Sequence, residues 1–212
     1  MGRVTATDGR VLGQRAHETR RRLLDATAAL LVEQGAFDLK VIDIARTVGT
    51  SPATFYQYFE DVDAALLALA ADAGADMAVL MPLLHETWGR KSGLATVRLF
   101  VAGFLEYWDG HKAVLRLRNL RAEEGDTRFR HNRLQATTSL LDAFIAKIDD
   151  AKAAGRVADE MNSYATAGAM IAVLERLVAF HVEFQRRGVS RDEMIETISR
   201  ILYENLTGYP VP

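Results

Sequence analysis

The sequence predicts an all-α protein, with a three-helix head in residues 1–60 and a helical bundle in residues 61–212. Three observations predict this class. Apolar side chains recur at helical spacing along most of the 212 residues. Gly and Pro residues stand where these periodic segments end. A chain of this length can bury one sizeable core and a smaller second one, which suits about nine helices in two parts.

The first helix is predicted over residues 16–34 and ends at Gly35. Residues 1–14 are rich in Gly and Thr and lack apolar periodicity, so we expect no regular structure there. Phe37 and Leu39 follow the helix and are expected to pack beneath the next two helices.

Residues 40–59 predict two short helices joined by a tight turn. Ile44 and Val48 form an apolar face at helical spacing, and Ala45 is small where two steeply crossing helices nearly touch. Gly49 permits the positive φ at which a first helix ends.

The second of these helices begins at Ser51 and Pro52. Ser is a preferred N-cap residue, and Pro at the first helical position loses no hydrogen bond. Phe55 and Phe59 are expected to point back into the same small core. This pattern is typical of a helix-turn-helix unit, whose second helix is shaped to enter the major groove of DNA.

Six further helices complete the prediction. The fourth helix starts at Asp61 and stops before Pro82, and a connection containing Trp88 follows it. Asp109-Gly110 is expected to separate the next two helices, and Ser190 to Glu193 reads as a capping box that opens the last one. The five predicted helices after the connection cover residues 94–108, 112–124, 128–154, 159–187 and 190–206.

The charge is unevenly distributed along the chain. Residues 1–22 contain six arginines and two acidic residues, a formal charge of +4, although the whole chain carries −2. A basic arm beside a helix-turn-helix unit, on an otherwise acidic body, suits a protein whose DNA affinity is local and salt-dependent. Without that unit, a solvated tail would explain the arginines equally well.

Several classes of chemistry lack their sequence signatures. The chain has no cysteine, and its five histidines show no metal-ligand spacing. We find no phosphate-binding Gly-rich loop and no nucleophile elbow. The sequence therefore predicts no enzyme, no catalytic residue, no metal and no cofactor. It shows no signal region and no apolar run of about 18 residues, so we expect a cytoplasmic protein without a membrane partner.

The run Thr54-Phe55-Tyr56-Gln57-Tyr58-Phe59 resembles the T-[LF]-Y-x-[YH]-F signature of TetR-type transcriptional repressors. About the first 60 residues match the motif, and the rest matches in length and helical character. The resemblance implies an N-terminal arm and DNA-binding domain in residues 1–60. It also implies that residues 61–212 bind a ligand and form a homodimer. Double-stranded operator DNA is then the expected macromolecular partner.

The resemblance and the residue chemistry together predict the DNA contacts. Thr54 and Gln57 can contact base edges, since Thr offers a methyl group to thymine and Gln pairs with adenine. Tyr56 and Tyr58 hold positions that grip phosphates in the family, with surface packing of the rings as the alternative. The other predicted phosphate contacts are Ser51 at the helix N-terminus, Lys40, Arg46 and, in the arm, Arg20, Arg21 and Arg22.

Three positions depart from the family pattern. Val62 stands where a phosphate-holding Lys is common, Thr50 where the turn residue is usually aliphatic, and Ile42 where some members place a base-contacting Arg. Each departure removes positive charge or a donor, so we expect each head to bind DNA with modest affinity. We therefore expect the Arg-rich arm to supply part of the affinity.

Large apolar side chains are concentrated in the predicted bundle, where an aromatic cluster could line a lipophilic pocket or simply fill a core. The Phe104 to Lys112 segment and Leu174-Glu175-Arg176 resemble the actinobacterial ethionamide-regulator branch of the family. That resemblance implies a small lipophilic effector. The candidate ligand contacts are Trp88, Phe100, Phe104, Tyr107, Trp108, Phe144, Met170, Leu174 and Phe184.

The last two predicted helices are apolar on more than one face, which suggests an interface between two copies of the chain. In the family, the corresponding pair forms a four-helix bundle across a two-fold axis. The predicted interface residues are Leu177, Val178, His181, Ile198, Ile201 and Leu202. A rival hypothesis is a helical hydrophobic-ligand carrier, or a small-molecule enzyme, with a vestigial DNA-binding head.

Overall fold

The computed structural model describes Thr7 and residues 13–211. Within them the chain forms ten α-helices and one 3₁₀ turn, Ala78–Leu80, and no strand, which confirms the all-α class. The helices are α1 Gln14–Gln34, α2 Val41–Val48, α3 Pro52–Tyr56, α4 Val62–Met77, α5 Met81–His85, α6 Gly93–Glu123, α7 Thr127–Ala153, α8 Ser163–Ala179, α9 His181–Gln185 and α10 Arg191–Thr207. The prediction for residues 1–14 lies largely outside the described residues.

The described residues form two compact units. The first comprises the residues up to Gly74 together with Ala113–Arg133, and the second comprises Ala75–Lys112 together with the residues from Leu134 onward. The first unit thus contains the head, most of α4, the end of α6 and the start of α7. The functional division into residues 1–60 and 61–212 stays a prediction.

The helix-turn-helix unit has the predicted backbone. Ile44, Ala45 and Phe55 are fully buried, so α2 and α3 close on a small apolar core. Gly49 ends α2 in the left-handed conformation, with φ 73°, where a side chain would be strained. The Ser51 hydroxyl accepts a hydrogen bond from the Thr54 N–H and caps α3.

Phe37 does not pack beneath this unit, contrary to the prediction. Its side chain is 84% exposed, whereas Leu39 is buried as expected. The turn after Gly35 directs one of the two apolar residues inward and leaves the other outside, and the short segment has no helical periodicity to distinguish them.

The predicted break at Asp109-Gly110 is wrong, because α6 runs without interruption through 31 residues. A Gly in a helix interior costs only about 1 kcal/mol. Leu105 and Trp108 before it and Val114 after it are buried. Burial of this apolar stripe outweighs the local preference for a turn.

Two other boundaries also differ. The predicted fourth helix is divided, since α4 ends at Met77 and Pro82 lies in the first turn of the short helix α5. The predicted helix over residues 159–187 is divided at Phe180 into α8 and α9. The last helix begins with the predicted capping box, in which Ser190 and Glu193 exchange hydrogen bonds.

The segment Val62–His85 corrects the expectation that no long apolar run exists. It is long and apolar enough to cross a membrane by length and composition alone, which is weak evidence because core helices pass the same test. The segment is not one continuous α-helix, and 28% of its most apolar stretch is buried inside the protein.

Candidate functional sites

The recognition helix α3 presents its polar side chains unequally. Tyr56 is 51% exposed and meets Phe55 edge-on, with ring centroids 5.8 Å apart. Gln57 is exposed just past the end of α3, and Tyr58 is half-buried. Thr54 is also half-buried, and its hydroxyl lies 3.1 Å from the Ser51 hydroxyl. Tyr56 and Gln57 are therefore the two predicted DNA contacts on this element that are most available to a partner.

Two predicted phosphate contacts lie on α2. Lys40 is exposed at its N-cap position. Arg46 is exposed on the last turn and forms an ion pair with Asp43, with Nη1 3.0 Å from the carboxylate. Such exposed pairs contribute little energy, so the Arg46 guanidinium can exchange this partner for a phosphate.

The arginines in the first half of α1 also make contacts within the head. The Arg22 guanidinium donates to the Val48 carbonyl oxygen at 2.6 Å, and so satisfies a free carbonyl at the end of α2. The Arg20 guanidinium lies 5.1 Å from the centre of the Phe59 ring. Arg21 is exposed. Arg20 and Arg22 thus hold α1 against the helix-turn-helix unit, a role that the charge count did not indicate.

Thr7 is a candidate residue that the sequence did not indicate. Its backbone N–H donates to the Gln57 carbonyl oxygen at 3.0 Å, and its hydroxyl donates to the Tyr56 carbonyl oxygen at 3.0 Å. These bonds place one point of the N-terminal arm at the end of α3. A single Thr in a segment without periodicity carries no local signal of such a contact.

Ion pairs surround the beginning of α4, where Val62 replaces the Lys common in the family. Arg128 on α7 lies 3.4 Å from the Asp63 carboxylate and 3.9 Å from the Asp61 carboxylate. Arg121 on α6 is 4.0 Å from Asp63. The two acidic residues beside Val62 therefore bind arginines of the same unit. This start of α4 carries neither the Lys nor a free positive group for DNA.

Part of the predicted ligand cluster is a chain of ring contacts in the second unit. Phe144 lies between Trp88 and Phe100, at centroid distances of 6.4 Å and 6.3 Å, and Phe100 is 6.0 Å from Phe104. Tyr107 extends the chain, 5.7 Å from Phe104. Trp108 and Leu174 are buried, and Met170 and Phe184 are half-buried. Trp88 also lines a cleft, and Phe184 lines a surface groove.

The predicted interface residues fall into two groups. Leu177 and Ile201 are partly exposed and available to a second copy. The other four are buried inside the chain itself, so their assignment to an interface is corrected: Val178, His181, Ile198 and Leu202. Apolar periodicity on more than one face did not distinguish the inward face from the outward one.

His181 has a clear role inside the second unit. Its ring Nδ1 lies 2.9 Å from the Val178 carbonyl oxygen, and Nε2 lies 3.2 Å from the Asp109 carboxylate. Arg191 donates to the other oxygen of Asp109 at 2.9 Å. This group joins α6, α9 and α10 directly after the break at Phe180.

The exposed side of α8 and α9 remains apolar. A groove there is lined by Leu177, Phe180 and Phe184, with Arg176, Glu183 and Arg187 as its charged members. Gly168, Ala169 and Ala172, which have little or no side chain, lie exposed or half-buried on α8. Small side chains allow another helix to approach closely.

Two family models match the chain. One, described as "Bacterial regulatory proteins, tetR family", matches residues 23–73. The other, described as "Tetracyclin repressor-like, C-terminal domain", matches residues 81–212. The first covers α2 and α3 with most of α1 and α4, and the second covers α5 to α10.

Solved structures show the same fold. The fatty acid degradation regulator FadR from Bacillus halodurans has a TM-score of 0.66 at 15% identity, over 92% of this chain and 97% of that chain. GusR from Salmonella enterica has a TM-score of 0.66 at 16% identity, over 89% and 95%. FadR from Bacillus subtilis, solved in complex with stearoyl-CoA, has a TM-score of 0.64 at 14% identity, over 88% and 97%.

Proposed function

Because the chain belongs to the TetR family of bacterial regulatory proteins, we propose that it is a transcriptional repressor. In this proposal it binds a palindromic operator as a homodimer, and a small lipophilic ligand releases it. A protein with this role acts in the cytoplasm, where the DNA is.

The observation that supports DNA binding best is the geometry of α3. Its buried Phe55 fixes the helix on the core of the head, while Tyr56 and Gln57 stand on the exposed side. A rigid element with a few exposed polar groups can hold those groups in one register on a duplex. The exposed Lys40 and Arg21 add positive charge on the same head.

A lipophilic effector is supported by the composition of the second unit. Its aromatic side chains form the ring chain around Phe144. The resemblance to the ethionamide-regulator branch adds to this, and the Bacillus subtilis FadR complex with stearoyl-CoA is a neighbour of the same fold with an acyl ligand. A ligand can release DNA only if it binds the released conformation more tightly than the DNA-bound one.

The experiment that tests DNA binding is fluorescence anisotropy with the DNA upstream of the protein's own gene, repeated over a salt series. We expect tight binding that weakens steeply as salt rises, because phosphate contacts release counterions. Weak and salt-insensitive binding would favour the rival carrier or enzyme.

The double variant Tyr56→Phe with Tyr58→Phe tests the site itself. Each hydroxyl removed from a phosphate contact should cost about 1 kcal/mol, so the two together should weaken operator binding about tenfold or more. Tyr164→Phe removes a hydroxyl from an exposed Tyr on α8 and serves as the matched control. Thermal stability should not change in either case. Unchanged operator affinity in the double variant would remove both Tyr residues from the site.

A further inference from the structure

A cleft in the second unit is lined by two cationic side chains, each of which forms a cation–π contact with an aromatic ring. Its volume is about 410 Å³, within the range of roughly 300–1,000 Å³ that is usual for small-ligand sites. Lys147 and Arg156 supply the positive charges, and Trp88 and Tyr209 supply the rings. Of the effector contacts predicted from the sequence, Trp88 alone is among the described residues that line this cleft.

Lys147 is held in place without being fully neutralised. Its ammonium nitrogen lies 4.2 Å from the centre of the Trp88 ring and donates to the Glu86 carbonyl oxygen at 2.9 Å. An ammonium group has three donors, and this carbonyl takes one. Burial lowers the pKa of Lys147 to about 8, although Asp150 and Glu86 act in the opposite direction. The charged form of Lys147 therefore lacks part of the stabilisation that water would give it.

Arg156 is fixed on the same cleft by three independent contacts. Its Nε donates to the Thr207 carbonyl oxygen at 2.8 Å, and its guanidinium lies 4.4 Å from the centre of the Tyr209 ring. Gly208 packs so closely on Arg156 that an added Cβ would lie 2.6 Å from the Arg156 carbonyl oxygen. These contacts involve Nε, one ring face and the backbone. The first two contacts orient the guanidinium in advance, so little side-chain entropy is lost when an anion binds there.

The rest of the lining narrows the ligand class. Leu84, Ala143 and Trp88 are buried beneath the cleft. Its accessible apolar surface comes from the exposed Ala146 and the half-buried Tyr209, and its acidic residues are Glu86 and Asp150. These two carboxylates disfavour a multiply charged anion such as phosphate relative to an anion with a single negative charge. The apolar surface favours a ligand that carries carbon as well as charge.

We infer that this cleft binds a small organic monocarboxylate with a compact apolar body, held by Lys147 and Arg156. The carboxylate would accept hydrogen bonds from the ammonium and the guanidinium, and its apolar part would lie on Ala146 and the Tyr209 ring. Binding would supply the stabilisation that the Lys147 ammonium lacks, and so would favour its protonated form.

Isothermal titration calorimetry of the full chain with cyclohexanecarboxylate, benzoate and phenylacetate tests this inference. We expect saturable binding of at least one carboxylate at pH 7, and at least tenfold weaker binding of the corresponding uncharged carboxamide. No binding by any of the three, or equal binding of the carboxamide, would overturn the inference. DNA takes no part in this measurement, so the inference can fail while the proposed function stands.

Lys147→Met should weaken carboxylate binding at least tenfold, because it removes the ammonium but keeps an apolar stem. Lys152→Met is the matched control, since Lys152 lies on the same helix and also donates to a backbone carbonyl, that of Met161 at 2.8 Å, but does not line the cleft. Equal affinities in the two variants would overturn the assignment of Lys147.

The unaltered protein offers a second measurement that does not depend on a variant folding. The carboxylates stay ionised between pH 7 and pH 9, whereas Lys147 loses its proton as the pH rises through about 8. Affinity should therefore fall across this range. A constant affinity would show that the Lys147 ammonium does not hold the ligand.

Discussion

Gly49 and Gly110 have different backbone conformations, although a methyl group added at either would meet no atom of another part of the chain within 4 Å. Gly49 has φ 73°, in the left-handed region. Gly110 lies in the interior of α6. Substituting each by Ala therefore isolates the effect of backbone conformation from the effect of packing.

We expect Gly49→Ala to lower the free energy of unfolding by about 1 kcal/mol, because Ala is strained at positive φ. We expect Gly110→Ala to raise it by about 1 kcal/mol, because Ala is the better helix former. Urea denaturation of the two variants measures both values. Shifts of the same sign would contradict the continuous α6, the left-handed turn, or both.

At the scale of single residues, the sequence predicted the turn and cap residues correctly, because their geometry depends on close neighbours in the sequence. Gly49, Ser51 and Pro52 have the predicted roles because turns and caps are made within a few residues. The sequence did not predict the contact of Arg22 with Val48, which is 26 residues away. It also did not predict the contacts of Thr7, whose partners are about 50 positions away. Pairings over such separations leave no periodic signal.

At the scale of helices, α6 and α10 are joined by a two-point ion pair. Arg98 donates from Nε and Nη2 to the two carboxylate oxygens of Glu196, at 2.5 Å and 2.8 Å. Arg200 also donates to Glu196. The hydrogen bonds from Arg98 and then Arg200 lower the pKa of Glu196 from 4.5 to about 2.

This shift predicts how stability depends on pH. Because the folded pKa is depressed, the contribution of Glu196 is fully present above pH 4.5 and is lost as the pH falls toward about 2. Glu196→Gln should lower the free energy of unfolding by about 1 kcal/mol at pH 7, a value reduced for the partial exposure of the pair. The difference from the unaltered protein should shrink as the pH falls below 4.5 and be lost below about pH 2.

Denaturation at a series of pH values measures this difference, with Glu160→Gln, at an exposed position between α7 and α8, as the control. The control should show no comparable pH-dependent difference. A Glu196→Gln difference that stays constant from pH 7 to pH 2 would contradict the linkage.

The sequence predicted most of the helices, and it predicted their ends where a capping residue marks the end. The sequence could not distinguish the continuous α6 from two helices, because Asp109-Gly110 is compatible with either a turn or a helix interior. It also could not assign inward and outward faces on α8 and α10, where Val178 and Ile198 proved to be core. Those faces are set by neighbours that are distant in the sequence.

At the scale of the whole molecule, the proposed homodimer rests on the outward face of α8. Ala172 is a small exposed residue on this helix, so Ala172→Glu would place a charge in the proposed apolar contact. We expect the unaltered protein to sediment as a dimer, and the variant as a monomer with much weaker operator binding. Analytical ultracentrifugation measures both.

Ala29→Glu is the matched control, because Ala29 is exposed on α1 in the head. This variant should remain dimeric. An Ala172→Glu protein that is still dimeric would place the contact between copies on another face.

The division of the chain into two units has a consequence for how genes of this kind can recombine. All three points where the chain passes between units fall inside helices: after Gly74 in α4, after Lys112 in α6 and after Arg133 in α7. A single crossover within α4 would transfer the helix-turn-helix unit but leave behind Ala113–Arg133, which carries Arg128 and the buried Phe129. We therefore expect an exchanged head to keep its packing only when both segments of the gene are inherited together.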